Sequence, residues 1–571
     1  MTTTAAGPLL GTPATLLARH AADPARVFAV AEDDLGGTTV ISYARQLSRA
    51  RAVAGALAAL GVGAGDRVHL HTANCPEFFD VWFATALLGA VLLPTGPQSA
   101  AEELRYVLEQ ASPAVSLVGR GLREPVAAAA SLARAGAGAA LRIVTLHGNE
   151  ADALPALALP ALAQQAEPVP PPASAGPELA GEPDTRTAAI LYTSGTTSRP
   201  KGVLVTHANY MAVGAAMADH LGITEQDRWL IALPLFHANA QYYCAMSALA
   251  AGASIALAPR FSASNWARQA ADHGATLGSL FAAPIRMILA RPPGEAETRG
   301  KLRAVLFAQN LTNGQASAFE HRLGTRLLQL YGMTETVLPP TINPASPARR
   351  WSSIGRRLPG TELRVTDADG APVSPGTPGE LLVGGVPGVT LAAGYYRDPQ
   401  ATAAAFRGGW LHTGDLARLD DDGFAYFVDR AKDMIKRSGE NVSAGEIERV
   451  AADHPAVLEC AAIGVPDPLR DEAIVLVAVP APGTAPRPDE LIAWCAGRLA
   501  PYKVPGSVVF TAALPRTSVG KIAKARLRAQ LRPAPALLPA SPPLPASPFL
   551  PASPPLPASP ESPQHSPQED A

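Results

Sequence analysis

The most informative segment of the chain reads AAILYTSGTTSRPKG and spans residues 188–202. Its apolar start, residues 188–191, predicts a buried strand. The glycines and small hydroxyl residues that follow allow backbone amides and hydroxyls to converge on phosphate oxygens, and Lys201 adds a mobile positive charge. A polar surface loop is the alternative, but a pattern sustained over residues 192–202 favours a phosphate-binding loop. The candidate phosphate contacts are Thr193, Ser194, Gly195, Thr196, Thr197 and Lys201.

This loop differs from a Walker A sequence at a position that matters for chemistry. Lys201 is followed by Gly202, where a Walker A loop has a Ser or Thr whose hydroxyl binds magnesium. A second glycine-rich stretch, residues 61–65, follows a helix-like segment and not a strand. We therefore interpret residues 61–65 as the turn that ends a helix, and not as a dinucleotide-binding loop.

Helix-like and strand-like segments alternate on both sides of the loop, over residues 12–125 and again over 186–430. Alternation of this kind is typical of βαβ units and a mainly parallel sheet. Residues from about 165 to 185 are rich in Ala and Pro and are interpreted as a linker within the domain. We predict an α/β fold whose large N-terminal domain, residues 1–429, contains mixed and parallel sheets with helices.

The C-terminal part of the chain is expected to divide further. Residues 434–532 show a shorter pattern of strands and helices, which predicts a small α+β domain after a connection at 430–433. Residues 533–571 carry a six-residue repeat close to LPASPP, and proline at this density fixes φ and removes hydrogen-bond donors. We expect a disordered or polyproline II tail here, with a ligand for an aromatic-lined groove as the alternative.

Composition and charge exclude several classes of protein. The formal net charge is −2, from 47 Lys and Arg against 49 Asp and Glu, which argues against nucleic acid as a partner. The four cysteines lie far apart, which suits a reducing compartment and argues against a disulfide framework or a Cys-type zinc site. The sequence has no apolar run of about 18 residues and no basic N-terminal leader, so we expect neither a membrane span nor a signal peptide. A cytoplasmic location is the expectation.

Six motifs in a fixed order resemble those of the adenylate-forming superfamily, which includes acyl-CoA synthetases, nonribosomal-peptide adenylation domains and luciferases. The first is the loop at 192–202, where the family usually has Gly in place of Ser198. The others are LPLFH (233–237), YGMTET (331–336), WLHTGD (410–415), VDRAKDMIK (428–436) and LPRTSVGK (514–521). The resemblance covers about residues 12–530 and implies an enzyme that joins a carboxylic acid to AMP before passing it to an acceptor.

The resemblance assigns ATP and Mg²⁺ to the central motifs. Tyr331 would stack on adenine in a segment shared with Gly332 and Met333, and Thr334 would donate a hydrogen bond to the α-phosphate. Glu335 would hold Mg²⁺ on the triphosphate, since a carboxylate is a hard oxygen ligand. Two more residues are expected at the ribose: Asp415 as the acceptor for its hydroxyls and Arg430 as a cationic donor. Taken singly, each is more often a turn residue or a plain ion pair, and the order of the motifs favours the functional interpretation.

Lys521 is the residue expected to contribute most to catalysis. Attack of a carboxylate on the α-phosphorus concentrates negative charge on oxygens that repel each other, and a lysine can stabilise that charge. A solvated lysine in a basic stretch is the alternative. His237 would gate the carboxylate pocket, although a lone histidine is otherwise more often a core residue.

The family resemblance also implies a moving C-terminal domain and coenzyme A as co-substrate. Lys432 stands where the family has its hinge, and rotation there would follow adenylate formation and admit the thiol. Lys436 belongs to the same motif. Gly439 would then permit the close approach of a narrow pantetheine arm, because glycine has no side chain.

The acyl pocket is expected to contain four polar residues, Asn239, Gln241, Asn310 and Thr312. Amides buried without a partner cost a few kcal/mol, so this lining predicts a small or polar acid and not a long fatty chain. Within the superfamily, SGTTSRPKG (194–202), RRWSSIGR (349–356), IKRSGENVS (435–443) and GVPDPLRDEAI (464–474) are most similar to the crotonobetaine/carnitine-CoA ligase branch. The lining segments offer no acidic counter-ion for a quaternary ammonium, and only Tyr242 and Tyr243 indicate an aromatic cage.

The sequence therefore predicts an ATP-dependent carboxylate–CoA ligase that forms an acyl-AMP with loss of pyrophosphate and then a thioester. One alternative keeps the adenylation and passes the acid to a carrier-protein phosphopantetheine or another small nucleophile. A second alternative is a catalytically inactive nucleotide-binding homologue, which is disfavoured by the presence of Lys201, Glu335, Asp415, Arg430 and Lys521. The oligomeric state is not indicated by the sequence.

Overall fold

The computed structural model describes twelve parts of the chain, separated by short gaps. They are residues 10–99, 101–133, 141–146, 159, 163–164, 166–170, 183–193, 200–430, 433–437, 440–467, 471–516 and 522–531.

The strands, in chain order, have the following bounds. They are β1 (Val27–Glu32), β2 (Thr38–Ser42), β3 (Arg67–His71), β4 (Val91–Thr95), β5 (Val115–Val118), β6 (Arg142–Thr145), β7 (Thr187–Thr193), β8 (Lys201–Thr206), β9 (Arg228–Ile231), β10 (Ser254–Leu257), β11 (Leu277–Phe281), β12 (Ala304–Ala308), β13 (Leu327–Tyr331), β14 (Thr341–Ile342), β15 (Gly355–Arg357), β16 (Glu362–Thr366), β17 (Gly379–Gly384), β18 (Phe406–Arg407), β19 (Trp410–Leu419), β20 (Phe424–Arg430), β21 (Ile435–Arg437), β22 (Glu440–Val442), β23 (Val457–Asp467), β24 (Asp471–Pro480) and β25 (Ser507–Phe510).

The helices lie between and around these strands. They are α1 (Pro13–His20), α2 (Tyr43–Ala59), α3 (Pro76–Leu88), α4 (Ala101–Ala111), α5 (Arg123–Ala133), α6 (His207–Leu221), α7 (Met246–Ala251), α8 (Trp266–Asp272), α9 (Ala282–Leu289), α10 (Ala296–Arg299), α11 (Asn313–Leu323), α12 (Pro399–Ala405), α13 (Ala444–Ala452), α14 (Pro488–Ala496) and α15 (Lys524–Leu531). A π-helix spans Asn239–Ala245, and 3₁₀ turns span Thr334–Thr336 and Pro501–Lys503.

Two sheets make up the N-terminal part of the described chain. One has the strand order β6-β5-β3-β4-β7-β8, in which every neighbouring pair is parallel except β7 and β8. The other runs β16-β17-β19-β20-β15-β14-β13-β12-β11-β9-β10-β1-β2, with β18 beside β19, and its parallel block extends from β13 to β1. The strands in this block read as continuous apolar runs because helices cover both faces of a parallel sheet.

Local sequence signals set the ends of the helices. In helix α3, Pro76 occupies the first turn, and Gly89 ends the helix with φ of 67°. Helix α2 ends in a Schellman turn, where the Gly61 amide donates to the Ala58 carbonyl at 2.9 Å and the Val62 amide to the Leu57 carbonyl at 3.0 Å. The interpretation of residues 61–65 as a helix-ending turn is therefore confirmed.

The C-terminal part forms a smaller α+β unit. Its sheet has the order β22-β21-β24-β23, and β25 pairs in parallel with β24. Helices α13 and α14 pack on one face through a core that includes Ile447, Leu476 and Leu491. The α/β fold class, with a large N-terminal part and a smaller C-terminal domain, is confirmed by this architecture.

A buried carboxylate joins the two parts beside the proposed hinge. Asp429, near the end of β20, accepts hydrogen bonds at 3.0 Å from the Ser443 hydroxyl and from the Gly445 amide at the start of α13. The boundaries at 429, 430–433 and 434–532 stay predictions, since residues up to Leu531 pack into one unit and residues 431–432 lie outside the described part. The tail at 533–571 also lies outside it. Among the described residues, no helix has both the length and the apolar character needed to cross a membrane.

Candidate active site

The parallel strands bring four of the candidate segments to one edge of the large sheet. Strands β9, β11, β12 and β13 are parallel, so their carboxyl ends meet at the same edge. The chain leaving these ends forms residues 232–237, 282–284, 309–312 and 332–336. Ligand sites of open α/β sheets lie outside the carboxyl ends of the strands, which makes this edge the candidate site.

The predicted phosphate loop lies between the two antiparallel strands β7 and β8 at the edge of the six-stranded sheet. Thr193 ends β7 and pairs in register with Lys201, which begins β8. The Thr193 hydroxyl donates to the Lys201 carbonyl at 3.4 Å. Residues 194–199 lie outside the described part of the chain, and with them the predicted contacts Ser194, Gly195, Thr196 and Thr197.

The predicted ribose residues come together in a cluster in which Asp415 is buried and Arg430 is partly exposed. Asp415 on β19 and Arg430 on β20 are directly paired across the two strands, and the Arg430 Nε lies 3.4 Å from the Asp415 Oδ1. The Tyr331 hydroxyl donates to the other carboxylate oxygen at 2.7 Å. Burial, and then the Asp415 charge, raise the pKa of Tyr331, so its hydroxyl stays a donor. The cluster therefore presents an oriented carboxylate and a guanidinium beside an aromatic ring.

The predicted magnesium segment forms a tight 3₁₀ turn directly after β13. Glu335 lies in this turn with 5 % of its surface exposed, and its Oε1 accepts a hydrogen bond from the Tyr395 hydroxyl at 2.9 Å. The Thr334 carbonyl faces the Tyr242 hydroxyl at 3.4 Å. Glycine is required at 332, because a Cβ there would lie 2.5 Å from the Tyr243 hydroxyl. The Met333 amide donates to the Thr336 hydroxyl, which closes the turn.

Backbone strain is stored behind this turn. Val337 has φ of 56° and ψ of −74°, a γ-turn conformation that a β-branched side chain tolerates poorly. Its side chain is fully buried, so the surrounding core holds it in place. Strained backbone of this kind clusters at functional sites, where packing fixes a geometry that the chain would not otherwise adopt.

The LPLFH segment leads into the π-helix at the carboxyl end of β9. The rings of Phe236 and His237 are 4.3 Å apart, and Phe236 packs so closely on Gly96 that a Cβ at 96 would lie 2.5 Å from its ring. Gly96 follows β4 of the smaller sheet, so this contact joins the two sheets at the predicted entrance to the carboxylate pocket. Single turns of π-helix are found frequently at functional sites.

The four predicted acyl-pocket residues have different surroundings. Gln241 is fully buried, and its amide is bonded within the protein: it accepts from the Tyr210 hydroxyl at 2.5 Å and donates to the Leu235 carbonyl at 2.7 Å. The Asn239 Oδ1 accepts from Ser279 at 2.8 Å, and the Thr312 hydroxyl caps α11. For Asn310, the carbonyl accepts from Arg286. The expectation of buried amides without partners is therefore wrong for Gln241, because its amide oxygen and its amide nitrogen are both hydrogen-bonded within the protein.

Several predicted residues of the C-terminal part lie outside the described residues. These are Lys432, Gly439 and Lys521. The base of the Lys521 loop is described: Arg516 pairs with Ile522 in an antiparallel bridge. On α9, burial lowers the pKa of Arg286, and the charges of Glu459, which raises it, and of Arg516, which lowers it, also act on this guanidinium. The Lys436 amide donates to Glu472 at 2.7 Å, within the small domain.

Two residues at the site were not found from the sequence. Tyr395 contacts both Glu335 and Lys201, whose Nζ lies 4.8 Å from the centre of the tyrosine ring. Gly96 supports Phe236. The only sequence signal for Tyr395 was its place in a Gly-Tyr-Tyr turn, and nothing local indicated which side chains it would meet.

The chain belongs to the AMP-binding enzyme family. The model of that family, described as AMP-binding enzyme, matches residues 17–396, and the model of its C-terminal domain matches residues 446–521. The predicted family and enzyme class are thereby confirmed.

Among characterised relatives, the chain is similar to the crotonobetaine/carnitine–CoA ligases of Escherichia coli and Salmonella paratyphi A. It is 37 % identical to the first over 471 residues, which cover 82 % of this chain and 89 % of the relative. For the second, identity is 36 % over 491 residues, with 85 % and 93 % covered. The predicted likeness to this branch is confirmed.

Solved structures with the same fold extend over almost the whole chain. An anthranilate CoA ligase in complex with anthranoyl-AMP superposes with a TM-score of 0.81 at 25 % identity, covering 92 % of this chain and 98 % of the other. ATP-bound MatB from Rhodopseudomonas palustris gives a TM-score of 0.79 at 30 % identity, with 90 % and 98 % covered. A benzoate CoA ligase from Burkholderia xenovorans gives 0.80 at 26 % identity, with 91 % and 100 % covered.

Proposed function

We propose that this chain is an ATP-dependent carboxylate–CoA ligase that activates a small or polar carboxylic acid. The observation that carries the proposal is the cluster formed by Tyr331, Asp415 and Arg430. In the turn that follows Tyr331, Glu335 contacts Tyr395, whose ring also contacts Lys201. These groups come from five separate segments of sequence. Together they supply two aromatic rings, two carboxylates and two cations, which are the groups that a nucleoside triphosphate and its metal ion require.

The nucleoside half of ATP would lie against the Tyr331 cluster. The Asp415 carboxylate is oriented by the Tyr331 hydroxyl and by Arg430, and a carboxylate held in this way accepts both ribose hydroxyls. Arg430 balances the charge of Asp415, so the cluster remains stable before ATP binds. Gly332 and Met333 would form the adenine-facing edge, because they follow Tyr331 directly at the end of β13.

The triphosphate would extend toward Lys201 and the loop at 193–197. Glu335 fits a magnesium ion that arrives with the nucleotide, since magnesium in such sites takes one or two protein carboxylates and completes its shell with phosphates and water. The described residues contain no cluster of three or more metal-ligating side chains, which suits this arrangement better than a protein-built metal cage. When bound, the ion would neutralise phosphate charge.

The reaction would proceed in two steps, formation of the acyl-AMP and then of the thioester. A carboxylate oxygen of the acid attacks the α-phosphorus, the bond from that phosphorus to the bridging oxygen breaks, and pyrophosphate leaves. The CoA thiol, having lost its proton, then attacks the acyl carbon and AMP leaves. Thr334 and Lys521 would stabilise the negative charge that develops at the α-phosphate. His237 would close the carboxylate pocket, with Lys432 as the hinge and Lys436 and Gly439 beside the thiol path.

The lining supports a small or polar acid. Asn239, Asn310 and Thr312 lie in the segments that leave the carboxyl ends of the strands, and the Tyr243 hydroxyl occupies the space beside Gly332. A long fatty acid requires an uninterrupted apolar tunnel, which polar groups interrupt at a cost of a few kcal/mol. The crotonobetaine/carnitine ligases named above act on acids of this size, and their similarity favours the same class.

Coenzyme A is the acceptor we favour, because the crotonobetaine/carnitine, anthranilate and benzoate enzymes named above are CoA ligases. Transfer to a carrier-protein phosphopantetheine uses the same thiol chemistry and is the second candidate. A cytoplasmic location would supply ATP, CoA and a reducing environment for the four free cysteines.

The decisive experiment measures pyrophosphate release with a panel of acids, with and without CoA. The panel should contain short aliphatic, hydroxylated, aromatic and quaternary-ammonium acids, and a long-chain fatty acid. We expect release with at least one small acid and thioester only when CoA is present. Asp415→Asn is the matched control, since it should weaken ATP binding in the same fold.

Each other outcome has a distinct meaning. Release without thioester formation for any acid would favour the carrier-protein acceptor. Release only with the long-chain acid would contradict the proposed substrate class. If the wild-type protein released no pyrophosphate with any acid, the ligase proposal would be wrong and the inactive homologue favoured.

A further inference from the structure

Tyr395 is held in place by backbone contacts with the strand that Lys201 begins. The chain at 393–396 runs beside β8 and pairs with it through an antiparallel bridge between Val203 and Tyr395. The Tyr396 amide donates to the Gly202 carbonyl at 2.7 Å, and the Leu204 amide donates to the Gly394 carbonyl at 2.9 Å. The tyrosine is therefore fixed by main-chain bonds on both sides.

The side chain of Tyr395 contacts two charged residues that approach from different sheets. Its hydroxyl donates to the Glu335 Oε1 at 2.9 Å, and the Lys201 Nζ lies 4.8 Å from its ring centre. The same two segments are also joined through the main chain, where the Ala392 amide donates to the Glu335 carbonyl at 2.9 Å. Burial, followed by the Glu335 charge, raises the pKa of Tyr395, so the hydroxyl remains a donor to the carboxylate.

We propose that Tyr395 is a positioning residue that orients the Glu335 carboxylate for the metal–nucleotide complex and holds the Lys201 ammonium at a fixed place beside it. This inference rests on the proposed function, because it concerns the same ATP site. Tyr395 itself touches neither the metal nor the reacting atoms. It acts through Glu335 with its hydroxyl and through Lys201 with its ring.

The two contacts act on different parts of ATP. The hydrogen bond from the Tyr395 hydroxyl to the Glu335 Oε1 restricts rotation of the carboxylate and so limits the directions from which a cation can meet it. The negative face of an aromatic ring attracts an ammonium and limits the conformations of a long lysine side chain. Loss of the hydroxyl should therefore affect the metal-dependent part of binding, and loss of the ring should also affect the phosphate contact of Lys201.

Two substitutions separate these contacts. Tyr395→Phe keeps the ring, its volume and its contact with Lys201, and removes only the hydroxyl. Tyr395→Leu removes both. The matched control is Tyr43→Phe, because Tyr43 is also a buried tyrosine and its hydroxyl donates to the Ala253 carbonyl at 2.7 Å, in a region without a proposed ATP contact.

Binding of α,β-methylene-ATP, which cannot release pyrophosphate, should be measured by titration calorimetry in Mg²⁺ and in EDTA. We expect Tyr395→Phe to raise Kd in Mg²⁺ about tenfold, the effect of one hydrogen bond to a charged group, and to change Kd in EDTA by less than about twofold. Tyr395→Leu should raise Kd in both conditions, and Tyr43→Phe in neither.

The result that would overturn the inference is wild-type binding by Tyr395→Phe in Mg²⁺, or an equal loss in Mg²⁺ and EDTA, which would indicate a merely structural role. Both outcomes can be measured only if the wild-type protein binds α,β-methylene-ATP. If the wild type does not bind it, the proposed function is wrong, and this inference with it.

Discussion

Asp415 and Arg430 show how much of the site is visible at the scale of single residues. They are fifteen positions apart, and the antiparallel strands β19 and β20 place them directly opposite each other. Their pairing was expected because both belong to recognisable motifs. The third member of the cluster, Tyr331, comes from a different part of the sheet, and its hydroxyl bond to Asp415 depends on tertiary packing.

The role of Lys521 gives a prediction at the same scale. Lys521→Ala should lower the rate of acyl-AMP formation by about a hundredfold or more, because an electrostatic contact to the charge that develops at the α-phosphate is lost. Thioester formation from supplied acyl-AMP should be nearly unchanged. Single-turnover measurement of each half-reaction tests this.

Lys301→Ala is the control for that experiment, because Lys301 is an exposed lysine outside the site and both half-reactions should keep their rates. An equal loss of both half-reactions in Lys521→Ala would remove the role given to this lysine.

At the scale of elements, buried charges tie strands to helices. Glu32 ends β1 and accepts hydrogen bonds from Arg268 at 2.8 Å, from Gln269 at 3.0 Å and from His273 at 2.8 Å. Burial alone would raise the pKa of Glu32, but these three bonds outweigh burial and lower it to about 2. The charged carboxylate thus stabilises the contact between β1 and α8.

This cluster predicts a pH-dependent stability. A lowered folded-state pKa means that the contribution is complete above the usual pKa of 4.5 and is lost as the pH falls toward about 2. Glu32→Gln should lower the free energy of unfolding by about 3 kcal/mol at neutral pH and by progressively less in acid. Urea unfolding over a series of acidic pH values measures the difference.

Glu225→Gln serves as the comparison for Glu32, because Glu225 is half-exposed and pairs with Arg26 at the surface. Its loss should cost less than about 1 kcal/mol. A difference between Glu32→Gln and wild type that did not change with pH would show that packing, and not the charge, accounts for the effect.

At the scale of the whole molecule, a few segments connect the two N-terminal sheets at the candidate site. The chain at 392–396 bonds to β8 of the smaller sheet and to the Glu335 turn of the larger one. Phe236 packs on Gly96 across the same boundary. The small C-terminal domain is attached to β20 of the larger sheet through Asp429 and the start of α13.

The tail gives a prediction for the whole molecule. Deletion of residues 533–571 should leave pyrophosphate release and the midpoint of thermal unfolding unchanged, because a proline-rich repeat supplies no packed core and carries none of the site residues. Calorimetry and the pyrophosphate assay on the truncated protein test this. A soluble truncated protein without activity would contradict it and give the repeat a functional role.

Local patterns were sufficient for the alternation of strands and helices, the turn that ends α2 and the family. The alternation of segments, the glycines at 61–65 and the six ordered motifs are short-range features, and short-range physics fixes them. The motifs also identified Tyr331, Asp415 and Arg430 as candidate contacts of the nucleoside.

Tertiary structure alone decided which side chains meet. The sequence predicted that the Gln241 amide would line the substrate pocket, but this amide is hydrogen-bonded to the Tyr210 hydroxyl and the Leu235 carbonyl. Tyr395 carried no local signal, yet it contacts Glu335 and Lys201 from two different sheets. Hydrogen bonds between distant segments depend on how sheets pack and on the register of their strands, and no pattern of period two or three to four residues contains that information.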